Sequence, residues 1–250
     1  MLIAHDTTRY GVEMEPPSSL AALLDNLPTR DYNGWVRIMY MYPTRITTNL
    51  INSIGQSICT VPYFDIPVQH ASRNILQRMG RGGDGEAYLK EIARIRQIIP
   101  EAAIRTTLIA GLPGETEEDF QMLLDFVREA RFDRLGVFPY WPEAGTPAAE
   151  MEDQVPPELA RERQEALLAL QEEISLENNQ RFVGQRLRVL VEREVDEGVW
   201  AGRSYRDAPE VDGEVILRRT TEGIQPEIGE FVWATITRAQ VHDLEAVVER

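Results

Sequence analysis

Residues 104–120 read IRTTLIAGLPGETEEDF and show the structural unit that repeats through the first part of the chain. The apolar run 104–110 predicts a β-strand, and the Gly-Leu-Pro-Gly stretch that follows predicts a turn. Apolar side chains then recur at three- and four-residue spacing, which predicts an amphipathic helix over 117–131. Thr116 and Asp119 stand three residues apart at its start and predict a capping box. The stretch is therefore interpreted as a strand, a turn and a capped helix.

The two glycines raise the question of a phosphate-binding loop. Their spacing matches neither the dinucleotide pattern GxGxxG nor the P-loop pattern GxxxxGK[ST]. Glu115, Glu117 and Glu118 would also repel phosphate from the helix N-terminus, where the helix dipole otherwise attracts anions. Phosphate binding is rejected, whereas a plain turn and a site for another cofactor both remain open.

The alternation of strand-like and helix-like segments extends from residue 1 to about 150. It predicts βα units forming a parallel sheet or barrel, in an α/β domain covering 1–150. We expect strands at 2–4, 35–42, 63–67, 104–110 and 134–140, and helices at 18–27, 47–54, 85–99 and 117–131.

The second part of the chain has a different pattern. A Pro-rich and acidic loop and a long helix over 158–182 form a connection assigned to 151–184. Five short alternating segments over 185–250 then predict a small antiparallel β-barrel. These 66 residues hold nine arginines against 14 acidic residues, whereas an RNA-binding barrel normally presents a basic, aromatic face.

Composition limits the partners. The formal net charge of −15 argues against nucleic acid and suits a basic protein, although acidity for solubility alone would look the same. No apolar run approaches the roughly 20 residues that span a bilayer, and no secretory signal is evident. A cytoplasmic protein is expected. Cys59 is the only cysteine, so an internal disulfide and a multi-cysteine metal site are both excluded.

Five segments, in the correct order, resemble the radical S-adenosylmethionine (SAM) methylthiotransferases. They are LIAHDTTRYG (2–11), YFDIPVQHASRNILQRMGR (63–81), the opening stretch 104–120, RFDRLGVFPYWPEAGTPAAEM (131–151) and GRSYRDAPEVDG (202–213). The last lies in a module resembling the TRAM domain of these enzymes. His5 and Trp141 depart from the family pattern, which usually has Gln and a small residue at these positions. The closest resemblance is to the branch that methylthiolates an aspartate of small-subunit ribosomal protein twelve.

The resemblance implies a partial (β/α) radical SAM barrel followed by a TRAM, OB-like barrel. It implies a transferase that cleaves SAM reductively at a 4Fe-4S cluster, with ribosomal protein twelve as protein substrate. The family's CxxxCxxC loop is missing, and Cys59 cannot replace several thiolates. We therefore expect a monomeric fragment whose missing part carries the clusters. A fragment of a tRNA methylthiotransferase and a non-catalytic protein-binding fragment are the alternatives.

The resemblance also implies site residues, each weighed against a structural role. Strand ends line the ligand site in parallel α/β folds, so polar residues there are candidates for the SAM pocket. The alternatives are a strand-end cap for 6–8, a structural hydrogen bond for His70, capping for Glu115 and core packing for Phe138. No metal ligand and no catalytic residue is assigned. The cofactor-binding candidates are Asp6, Thr7, Thr8, Gln69, His70, Gly111, Glu115 and Phe138, and the substrate-docking candidates are Arg203, Arg206, Asp207, Glu210 and Asp212.

Overall fold

The computed structural model describes residues 1–27, 34–219 and 225–249. The chain divides into two compact units, Met1–Gln171 and Glu172–Arg250. This division lies inside the long helix, whereas the sequence pattern placed limits at 150 and 184. Those limits stay predictions.

The first unit contains a parallel sheet of four strands in the order β1-β2-β3-β4. Leu2 adds a single parallel bridge to Ile38 at the β1 edge, so the strand expected at 2–4 is reduced to one bridge. Strand β1 is shorter than expected because Tyr40 adopts a positive φ of 56°. The α/β fold with a partial barrel-like sheet is confirmed. The strands are β1 (Val36–Ile38), β2 (Thr60–Asp65), β3 (Ala103–Ala110) and β4 (Arg134–Pro139).

Helices follow the strands as the sequence predicted, with one addition. Helix α3 has only six residues, too few to show a helical repeat in the sequence. The predicted capping box is present at the start of α5. The helices are α1 (Leu20–Asp25), α2 (Thr48–Gln56), α3 (Arg73–Arg78), α4 (Gly85–Ile98), α5 (Glu117–Ala130) and α6 (Pro157–Gln180). Short 3-10 turns cover Thr7–Arg9, Pro43–Arg45 and Pro147–Glu150.

The two faces of strand β3 differ in burial. Ile104, Leu108 and Ala110 are fully buried, while Arg105 and Ile109, on the other face, are only partly covered. Helices α4 and α5 likewise bury apolar stripes, including Ile92, Ile95, Leu123 and Val127. Each such side chain contributes about 1.5–3 kcal/mol of burial free energy.

The second unit contains a closed barrel in the order β5-β6-β7-β9-β8, with β8 returning to β5. Four of the five pairings are antiparallel, but β7 and β9 are parallel, so the barrel is not wholly antiparallel as expected. Its interior is filled by apolar side chains such as Val189, Trp200, Leu217 and Ile236. The strands are β5 (Arg186–Asp196), β6 (Val199–Arg203), β7 (Val215–Arg218), β8 (Phe231–Ala239) and β9 (Leu244–Val248).

Candidate cofactor-binding site

Residues Asp6 to Thr8 lie at the point where β1 ends. Thr7 is buried, and its hydroxyl donates to the carbonyl oxygens of Met39 at 2.8 Å and Tyr40 at 3.2 Å. Asp6 caps the following 3-10 turn by accepting from the Thr8 amide at 3.0 Å and from the Thr8 hydroxyl, and it forms an ion pair with Arg45. Thr7 therefore anchors the segment, while Asp6 and Thr8 keep partly exposed polar groups at the sheet edge.

Gln69 and His70 continue the chain beyond β2. Gln69 has a φ of 71°, its amide donates to the Thr107 carbonyl at 2.9 Å, and its carbonyl accepts from the Ile109 amide at 2.8 Å. Gln69 therefore extends the pairing with β3 and stays partly exposed. His70 is fully buried, and its Nδ1 accepts from the Ser72 amide at 2.9 Å. In the neutral ring the proton is then on Nε2, which lies 3.5 Å from Glu115 Oε2.

The turn after β3 is built around the Glu115 carboxylate. Glu115 Oε2 accepts from the amides of Gly111 at 2.8 Å and Leu112 at 3.2 Å, and Oε1 accepts from Arg163 at 2.8 Å. The side chain is completely enclosed. Gly111 has a φ of 79°, and a Cβ there would overlap the Cβ of Ala160 on α6. Helix packing therefore requires a glycine at this position, and a role of Gly111 in cofactor binding stays a prediction.

Aromatic rings are exposed at the same edge of the sheet. Phe138 pairs with Ile109 near the end of β4, and 58% of its surface is accessible, so it is not a core residue. Tyr40, just beyond β1, is 43% accessible, and its amide donates to Asp65 at 2.9 Å. Exposed rings of this kind offer a flat apolar surface for a base.

Asp119 is a second buried carboxylate behind this edge. It accepts from the Thr116 amide at 3.0 Å, the Thr116 hydroxyl at 2.7 Å and the Ser72 hydroxyl. Burial, the largest influence, raises the pKa of the Asp119 carboxyl, but the hydrogen bonds from Ser72 and Thr116 together outweigh it. The pKa therefore lies below its ordinary value of 3.8. Asp119 thus ties α5 to the segment that follows His70.

The five docking candidates of the barrel loop do not form one exposed surface. Arg206 and Asp207 are buried, with 1% and 2% of their surfaces accessible, and Asp207 accepts from the Ser204 amide at 3.0 Å. Asp212 accepts from the Ala208 amide at 2.8 Å, and Arg203 pairs with Glu192 at 2.7 Å. Only Glu210 is exposed. The sequence predicts that this polar run docks the substrate, whereas most of its side chains bond within the barrel.

Three residues near the candidate site were missed from the sequence. Arg45 pairs with Asp6, Ser72 donates to Asp119, and Arg163 pairs with Glu115 from 48 residues away. Each of these residues contacts a partner that is distant in sequence, so the local spacing of residues could not reveal it. The one available signal was the position of Arg163 among the apolar residues of the α6 sequence, where a buried partner could have been expected.

The edge fits SAM but not an iron-sulfur cluster. An exposed ring at Phe138, the partly exposed Gln69 and the polar side chains of Asp6 and Thr8 are groups of the kinds that an adenosyl group and an amino-acid tail would contact. A 4Fe-4S cluster takes several thiolates, and the single cysteine, Cys59, is buried. In residues 1–27, 34–219 and 225–249, no group of three or more His, Cys, Asp or Glu is placed to hold a metal.

Comparisons with known families agree with this architecture. Residues 36–127 match the radical SAM superfamily, and residues 183–248 match the TRAM domain. The chain therefore joins a segment similar to radical SAM enzymes to a segment similar to TRAM domains. The two matches cover the parallel sheet through β3 and the closed barrel.

Within that class, the chain is similar to proteins named ribosomal protein uS12 methylthiotransferase RimO. It is 42% identical to the protein of Carboxydothermus hydrogenoformans over 246 residues, which are 98% of this chain and 56% of the relative. It is 45% identical to that of Pseudothermotoga lettingae, over 98% of this chain and 56% of the relative. For Heliobacterium modesticaldum the identity is 44%, over 100% of this chain and 54% of the relative. The sequence is RimO-like over its own length, which confirms the family resemblance, and it spans just over half the length of these relatives.

Among solved structures, coproporphyrinogen III oxidase (HemN) from Escherichia coli, a radical SAM enzyme, is similar at a TM-score of 0.49 and 19% identity. The match covers 84% of this chain and 50% of that one. At this level it adds nothing to the functional argument. In the described part of the chain, no helix is both long and apolar enough to cross a membrane.

Proposed function

We propose that this chain is the SAM-binding and substrate-docking part of a methylthiotransferase acting on ribosomal protein uS12. The observation that carries the proposal is similarity to uS12 methylthiotransferases at 42–45% identity over 98–100% of the chain. That similarity runs through the sheet, α6 and the barrel together, and the order of the radical SAM and TRAM matches agrees with it.

Residues at the strand ends have separate roles in binding SAM. The Phe138 ring supplies a stacking surface for adenine, and the partly exposed Gln69 supplies a side-chain amide for hydrogen bonds. Asp6 and Thr8 offer a carboxylate and a hydroxyl for the ammonium and carboxylate of the methionine tail. Bound SAM supplies the activated adenosyl and methyl groups of the reaction, while the protein's part is to place and shield them.

No reaction step is assigned to residues of this chain. The cluster chemistry of the family needs cysteines that these 250 residues do not contain, so the cluster ligands come from elsewhere in the active enzyme. Methylthio transfer to the β-carbon of an aspartate is accordingly a property proposed for the complete enzyme.

Charge supports a basic protein as the substrate. The chain carries a net charge of −15, and Glu210 is an exposed acid on the barrel loop. Opposite charge steers partners together and makes their association sensitive to salt. The buried Arg206 and Asp207 leave the exposed Glu210 and the partly exposed Arg203 and Asp212 as the docking side chains of that loop.

Two binding measurements test the proposal. Calorimetric titration of the 250-residue chain with SAM should give saturable binding that Phe138→Ala weakens several-fold, while Phe231→Ala in the barrel leaves it unchanged. Purified ribosomal protein uS12 should bind in low salt and be released as salt is raised, and unmodified tRNA should not shift in electrophoresis. Binding of tRNA without uS12 would instead favour a tRNA methylthiotransferase.

Absence of both SAM and uS12 binding would leave a non-catalytic fragment as the better description. Iron and sulfide analysis of the purified chain should find no stoichiometric cluster. A cytoplasmic location and a monomeric state are expected and remain predictions.

A further inference from the structure

Helix α6 reaches the turn after β3 at two points on one helical face. Ala160 occupies the position that a Gly111 Cβ would need, and Arg163, three residues further along the helix, bonds to Glu115. Residues three apart on a helix lie side by side, so both contacts come from one surface. Helix α6 begins at Pro157, beyond the residues that match the radical SAM superfamily, 36–127. A helix outside that match therefore completes the turn.

Glu115 connects Arg163 to the main chain of this turn. One carboxylate oxygen accepts from the amides of Gly111 and Leu112, and the other accepts from Arg163 Nη1 at 2.8 Å. Because the Glu115 side chain is fully enclosed, water cannot take over the role of the guanidinium. Burying a carboxylate without a compensating cation is strongly unfavourable, so the position of Glu115 depends on Arg163.

Arg163 is itself held in several directions. It also donates to the Glu115 carbonyl oxygen at 3.1 Å and to Glu117 at 3.2 Å, and its guanidinium lies 5.1 Å from the centre of the Phe120 ring. Only 5% of its side chain is accessible. A planar, multidentate donor is required for this set of contacts, which lysine can satisfy only in part.

We propose that Arg163 is a positioning residue of the SAM site. It balances the charge of Glu115, and Glu115 then fixes the amides of Gly111 and Leu112 at the end of β3. The inference rests on the proposed function, since it takes the strand ends as the place where SAM binds. It adds that part of the affinity for SAM is set by α6, through a residue that does not touch the cofactor.

The experiment compares four variants of the 250-residue chain. Arg163→Met removes the donors with little change in length, and Arg163→Lys keeps the charge. Leu167→Ala, one turn along and fully buried, destabilises the same helix without touching Glu115. Arg161→Met changes an exposed arginine of that helix, whose pairing with Glu158 is 3.4 Å long.

Two readouts are taken well below the unfolding temperature. One is the amide proton chemical shifts of Gly111 and Leu112 in NMR spectra, which report directly on their bonds to the Glu115 carboxylate. The other is the affinity for SAM by equilibrium dialysis. Arg163→Met should displace both resonances and weaken SAM binding at least tenfold, and Arg163→Lys should give intermediate values. Leu167→Ala and Arg161→Met should stay within twofold of the parent affinity and keep both resonances in place.

The proposal is overturned if Arg163→Met leaves the resonances and the affinity unchanged, or if Leu167→Ala alters them equally. If the unaltered chain binds no SAM, the proposed function fails, and so does the part of this inference that concerns affinity. The two amide resonances then still decide whether Arg163 holds the turn.

Discussion

A methyl group at Gly111 would meet the Cβ of Ala160 and would force a side chain into a backbone conformation with a φ of 79°. Each effect alone costs free energy: a positive φ about 1–2 kcal/mol and overpacking about 1–3 kcal/mol. Gly111→Ala should therefore lower the free energy of unfolding by about 2–5 kcal/mol. Urea denaturation followed by circular dichroism measures the change.

Gly145→Ala is the matched control for that substitution. Gly145 has a similar φ of 83°, but nothing lies within 4 Å of a Cβ built there. Only the cost of the positive φ remains, so the expected loss is about 1–2 kcal/mol. Equal losses at the two glycines would show that Ala160 does not limit the space beside Gly111.

The Asp119 carboxyl should make stability depend on pH in the acid range. Its pKa in the folded protein lies below the ordinary value of 3.8, because hydrogen bonds from Ser72 and Thr116 outweigh the opposing effect of burial. A lowered folded-state pKa contributes stability above the unfolded-state pKa, and this contribution is lost as pH falls through the folded value. Asp119→Asn should cost about 1.5–3 kcal/mol at pH 7.

Urea denaturation of the parent chain and of Asp119→Asn at pH 7 and pH 3 tests this dependence. The difference between the two proteins should shrink at the lower pH, since the carboxyl of the unfolded parent takes up a proton there before that of the folded parent, whose pKa is lower, does so. A difference that stays the same at both pH values would mean that the hydrogen bonds do not favour the ionised form.

At the scale of elements, α6 also closes the free edge of the sheet. Gln164 donates to the Val137 carbonyl at 2.7 Å, and Gln171 donates to the Phe132 carbonyl at 2.9 Å. Both acceptors belong to β4 or the residues just before it, and β4 is the last strand in the order of this sheet. Side chains that occupy edge carbonyls hinder pairing with a second chain.

Gln164→Ala should therefore have two effects. Loss of the donor leaves a carbonyl at the edge unpaired, which costs about 1–3 kcal/mol, and the edge becomes more open to association. Urea denaturation and sedimentation velocity measure these effects, with Glu165→Ala, at the next and exposed position, as the control. An unchanged unfolding free energy would show that water replaces the glutamine without loss.

The elements differ in how far the sequence could predict them. Strand β3 and the capping box of α5 depend on neighbouring residues, and both were found as expected. Helix α6 was located by its length, but its buried residues include Arg163, Gln171 and Asn178, which a search for apolar residues does not find. The spacing of apolar residues does not reveal a buried polar residue, because the partners that allow its burial are distant in sequence. For the same reason the buried state of Arg206 was missed, although the loop that carries it was located.

At the scale of the whole molecule, the division of the chain into two compact units falls within α6, between Gln171 and Glu172, and not at the end of the helix. The last turns of the helix belong with the barrel because of specific contacts. Asn179 donates to the carbonyls of Gln240 at 3.0 Å and Val241 at 3.1 Å, and it accepts from Arg206 at 3.1 Å. The Arg206 guanidinium also lies 3.9 Å from the centre of the Phe182 ring.

A protein of residues 172–250 should consequently fold and be clearly more stable than one of residues 185–250. The shorter protein loses Asn179 and Phe182, so the buried guanidinium of Arg206 is deprived of both contacts, and removing a partner from a buried charge costs about 3–5 kcal/mol. Thermal unfolding followed by circular dichroism compares the two. In the longer protein, Asn179→Ala should remove part of the extra stability. Glu177→Ala, at an exposed position two residues earlier, should change the stability little. Equal stability of the two proteins would show that the contacts of α6 with Arg206 contribute nothing to the stability of the barrel. The boundary of the barrel would then lie at residue 184, and the end of α6 would be a linker.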